Sequence, residues 1–84
     1  MIKKCYAYCN RLNGQFEMPR AYIYDKDEVV EDLIASIKAS KGDLDYLLEF
    51  DLYYMGTFDS KSGAYIADKE FLISLNKELI YGNE

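Results

Sequence analysis

The chain has 84 residues, half of them hydrophobic and 30% charged, with a net charge of −5. That length supports a single domain, residues 1–84, built on one small core, and the balance of apolar and charged residues excludes a disordered chain. With no histidine and two cysteines, Ser-His and Cys-His catalysis are excluded, as is a closed zinc site of four nitrogen and sulfur ligands.

No apolar run approaches the roughly 20 residues of a membrane span. The start, MIKKCYAYC, has no apolar stretch behind its lysines, so a signal peptide is not expected. The default expectation is a cytoplasmic protein without membrane contact.

Taken in chain order, residues 3 to 12 alternate and carry aromatic side chains, which predicts a strand. Asn13-Gly14 is a hairpin signal, and Gln15 to Met18 are expected to return until Pro19 interrupts. Residues 20 to 24, RAYIY, again predict strand. Asp25 and Glu28 have capping-box spacing, and Val29, Val30, Leu33, Ile34 and Ile37 form one apolar stripe. A helix over about 26–41 follows, with Gly42 as its stop.

Residues 43 to 49 predict a short helical turn. Phe50 to Phe58 predict a strand, Asp59 to Gly63 a loop, and Ala64 to Ala67 its hairpin partner. Residues 70 to 75 fit both a strand and a helix, and we read them as strand. The fold class expected is α+β, an antiparallel sheet of about four strands packed on one main helix.

The stretch CYAYC, residues 5 to 9, has several readings. On a strand, a spacing of four positions puts Cys5 and Cys9 roughly 13 Å apart, beyond the reach of a disulfide without a bent backbone. Strand parity puts Cys5, Ala7 and Cys9 on one face and Lys4, Tyr6 and Tyr8 on the other. In RAYIY, Ala21 and Ile23 oppose Arg20, Tyr22 and Tyr24. Small residues let a helix approach closely, so Cys5, Ala7, Cys9, Ala21 and Ile23 are expected beneath it, with the cysteines as small buried hydrophobes.

The candidate contact surface is then Lys4, Tyr6, Tyr8, Arg20, Tyr22 and Tyr24. Three readings stand side by side: half-buried strand tyrosines, a protein interface, and a base-stacking platform for single-stranded nucleic acid. The charge is uneven in a way that suits the last. Residues 1–24 hold four basic side chains against one acidic, and residues 25–84 hold six against fourteen. The acidic whole opposes non-specific nucleic-acid binding.

The acidic patch Asp25, Asp27, Glu28, Glu31 and Asp32 reads as a helix start and its solvated face rather than a catalytic or metal site. No phosphate-cradling GxxxxGK[ST] loop is present. No enzymatic activity, metal or cofactor is expected.

The run Phe50-Asp51-Leu52-Tyr53-Tyr54-Met55-Gly56-Thr57-Phe58-Asp59 with the turn Ser60-Lys61-Ser62-Gly63 resembles the small non-structural protein of gokushovirus-type microviruses. Its F-E-L-Y-x-L-G-x-F-D core and D-x-x-T-G-type turn are matched closely here. Tyr22 to Leu33 sits where that family begins its helix, with Tyr24-Asp25-Lys26-Asp27 in place of an asparagine–aspartate pair. The resemblance implies an accessory role in phage DNA replication in the host cytoplasm. The partners it implies are single-stranded DNA and phage or host replication proteins. A homo-oligomer is expected from the small size of the core. The alternative function is a protein-interaction module, using the same tyrosines to form a homodimer or bind a phage or host protein, or using Asp27, Glu28, Glu31 and Asp32 to occupy a basic surface on a host factor.

Overall fold

The computed structural model describes residues 1–82. Four strands, β1 (Ile2–Asn10), β2 (Arg20–Tyr22), β3 (Phe50–Asp59) and β4 (Tyr65–Ser74), form one antiparallel sheet in the order β2-β1-β3-β4. Helix α1 (Lys26–Ala39), a 3-10 turn (Asp45–Glu49) and a short helix α2 (Lys77–Tyr81) complete the fold. The α+β class expected from the sequence is what is found.

The local chemistry accounts for the elements. At Asn13-Gly14 the chain reverses: Gly14 takes φ +70°, its N–H reaches the Asn10 carbonyl, and Asn13 Oδ1 accepts the Gln15 N–H. Past this turn the chain meets β1 in a single bridge, Cys9 to Phe16, instead of a full strand. Pro19, which has no N–H to donate, precedes β2. Helix α1 starts after Asp25, but the capping box does not form. The Asp25 carboxylate instead accepts the Lys4 ammonium. Residues 70 to 74 are strand, because β4 continues from the hairpin instead of stopping at Ala67.

The core lies on one side of the sheet. Ile37 and Leu75 are fully buried and meet Leu47, Leu48 and Ile80, where both helices and the 3-10 turn converge. A second cluster, Tyr6, Leu52 and Tyr54, packs against Val29, Val30 and Leu33 of α1. Arg11 locks this end of the sheet: its guanidinium donates to the carbonyls of Phe50, Leu48 and Leu75 and to Asp51 Oδ1 at 2.9 Å. One side chain thereby ties the end of β1 to the start of β3 and the end of β4. Charge-assisted hydrogen bonds of this kind are the stronger class.

Helix α1 covers the opposite sheet face from the one expected. Tyr6 and Tyr8 lie beneath α1, and Cys5, Ala7 and Cys9 point away from it. The reason is side-chain reach. A tyrosine ring fills the space between sheet and helix, and its hydroxyl can exit to a polar partner. Tyr6 does so, donating to the Tyr24 carbonyl at 2.9 Å. The small residues of CYAYC leave room for aromatic rings arriving from neighbouring strands on the other face.

Candidate nucleic-acid interface

The ladder register fixes what shares each face, since directly paired residues point the same way. Ala7 pairs with Tyr53, Tyr53 with Phe71, and Cys9 with Phe16. A row of rings therefore crosses the uncovered face. Phe16 and Tyr53 have centroids 5.0 Å apart, and Tyr53 and Phe71 5.7 Å. The first pair closes over β1, which only small side chains there permit, and Ala7 beneath is 3% exposed. Lys69 sits over the Phe16 ring at 5.3 Å, a cation–π contact.

Beyond Met55 the register shifts, and Gly56 pairs with Cys5 on one side and Ala67 on the other. This bulge carries Phe58, paired with Lys3 and Tyr65, onto the same uncovered face. The face thus holds five aromatic rings, with Phe16, Tyr65 and Phe71 each at least 40% exposed, and the cations Lys3 and Lys69. Among the described ladder residues, Asp51 is its sole carboxylate, and the Arg11 guanidinium neutralises it. The acidic charge lies elsewhere: Asp27, Glu28, Glu31 and Asp32 belong to α1 on the far side.

The residues singled out in the sequence are placed differently. Tyr6 is buried and Tyr8 half-buried under α1. Arg20, Tyr22 and Tyr24 are exposed but border a groove beside the helix, on the same side as Tyr6. Lys4 is paired with Asp25. The six do not form an open platform, because three of them meet the helix or its first residues. The signal for the true open-face rings was present: Tyr53 alternates with Leu52 and Tyr54, and Phe71 with Leu72. It was unreadable without knowing which parity the helix covers.

Electrostatics agree with these placements. Burial, then the neighbouring Tyr54, Asp25 and Glu28, push the Tyr6 phenol up to about 12 from 10.0. A phenol held neutral in the fold stabilises it below pH 10.0 and loses that contribution as pH rises to about 12. Alkaline titration followed by circular dichroism is therefore expected to show weakening in that window. A Tyr6→Phe chain should show a shallower loss there. Burial also raises the Cys5 thiol, consistent with an inert packing residue.

Strand β4 is the long edge of the sheet. Antiparallel pairing of two copies centred on Lys69 would set Lys69 against Lys69 and Asp68 against Glu70. Like charges directly opposite are destabilising, and such charges are a known guard on exposed edges. The expected homo-oligomer therefore finds no ready seam centred there.

No helix among the described residues is long and apolar enough to cross a membrane. Among the same residues no group of three or more His, Cys, Asp or Glu is placed to hold a metal ion. No protein-family model matches the chain, and neither a curated protein nor a solved structure does.

Proposed function

We propose that this chain is a non-enzymatic accessory protein of single-stranded DNA phage replication, and that it contacts single-stranded DNA through the uncovered face of its sheet. The replication role rests on the resemblance of residues 50–63 to the microvirus non-structural proteins. The mode of contact rests on one observation, the row Phe16, Tyr53 and Phe71 beside Lys69 on a face with no unpaired carboxylate among the described ladder residues.

Every base has a π-face, so exposed rings bind single strands with little sequence preference, at about 1–3 kcal/mol per stacked base. Paired bases in a duplex do not offer that face. Lys3 and Lys69 supply phosphate neutralisation, and two such contacts on a single strand give a salt slope of about −1.4. Binding is thus driven mainly by stacking and tolerates a net acidic chain, because the acidic residues of α1 lie across the sheet. The protein would work in the host cytoplasm, beside the phage or host replication proteins that act on the same strand.

The test is a titration of labelled single-stranded and duplex oligonucleotides of equal length, at low salt and at about 0.15 M. Preference for the single strand with a shallow salt slope is the expected result. Equal binding of duplex, or no binding at low salt, would refute the stacking mode.

A further inference from the structure

The other side of the sheet carries a second surface that the DNA reading does not use. A groove of about 970 Å³ runs between α1 and the chain from Glu17 to Tyr24. Tyr8, Leu33 and Leu52 contribute apolar surface to it, and Tyr22, Tyr24 and Tyr46 stand at its border at 38%, 52% and 64% exposure. Its charge is one-sided: Glu17, Glu28, Glu31 and Asp32 line it, against the single guanidinium of Arg20. Lys4 and Lys26, also on this side of the sheet, are held by Asp25 and Glu70.

From this geometry we infer that the groove docks a cationic, apolar segment of a protein partner. Three features select that occupant. The carboxylates repel a nucleic-acid strand and attract lysine and arginine. Exposed tyrosine faces bind the same cations, arginine more often than lysine. The apolar lining gives anchor points for alternate side chains of an extended peptide. From Glu28 to Ser36 helix α1 runs about 12 Å, enough to border roughly four residues of extended chain. With DNA on the opposite face, such a partner would be bridged to the strand by the thickness of the sheet.

The probe is a labelled octapeptide alternating leucine with arginine, measured by fluorescence anisotropy against the full chain, with a leucine–glutamate octapeptide as its counterpart. The basic peptide should bind, the acidic one should not, and raised salt should weaken binding. Glu31→Lys with Asp32→Lys should lower affinity about tenfold or more. Both residues are exposed on α1, so the fold should survive, as circular dichroism would check. Phe71→Ala, on the far face, should leave peptide binding unchanged. Equal binding of the two peptides, no binding of the basic one, or an unaffected double variant would each overturn the inference. Self-association of the parent chain that the double variant abolishes would also overturn it, by making the occupant a second copy.

Discussion

Gly56→Ala is expected to remove a large share of the stability of this fold. Gly56 takes φ +129°, a region side chains rarely adopt. A Cβ there would stand 2.0 Å from the Ile66 carbonyl oxygen and 3.0 Å from the Asp68 amide nitrogen. Both are backbone atoms of β4, so no side-chain rotation relieves the clash. The strands must part or the bulge must unwind. Strain and overpacking together should cost about 3–5 kcal/mol. A domain of this size holds only about 5–15 kcal/mol in all. In urea the variant should unfold at a far lower midpoint or be unfolded in buffer. A change below about 1 kcal/mol would show that the close approach of β3 and β4 is not as described.

The second large effect concerns binding. Phe71→Ala and Phe16→Ala should each weaken single-stranded DNA binding by about 1–3 kcal/mol, roughly five-fold to over a hundred-fold. Both rings are at least 40% exposed, so their loss should disturb the core little. Tyr24→Ala is the matched control: it removes an equally exposed ring from the helix side and should leave DNA affinity unchanged. Oligonucleotide anisotropy on the three variants decides. If Tyr24→Ala weakens binding and Phe71→Ala does not, the platform lies on the helix side of the sheet.

Much of the architecture was legible because local chemistry and periodicity agreed. Helix α1 announced itself through Val29, Leu33 and Ile37 and its acidic first turn. The hairpins announced themselves through Asn13-Gly14 and the polar turn ending at Gly63. Which face of the sheet the helix covers was not legible. Strand β1 is small and apolar on one side and tyrosine on the other, with Lys3 and Lys4 divided between the two, so charge does not mark the solvent side. The deciding contacts are long-range: Tyr6 against Val29, and Phe16 across Ala7 to Tyr53. Arg11 was equally hidden, since its carbonyl partners Leu48, Phe50 and Leu75 come from distant parts of the chain. What the break at Met55-Gly56 does to the strand was not legible either. Residues 50 to 58 alternate as one strand, yet the pleat changes hand midway and turns Phe58 onto the open face.

We propose that the uncovered face, and not the tyrosine face under α1, meets single-stranded DNA. Titrating the isotope-labelled chain with a short oligothymidine, and following each amide and aromatic resonance, tests it most directly. Shifts are expected to concentrate at Lys3, Phe16, Tyr53, Phe71 and Lys69, with α1 and Tyr22 to Tyr24 still. Shifts confined to Arg20, Tyr22 and Tyr24, or none at saturating oligonucleotide, would contradict it.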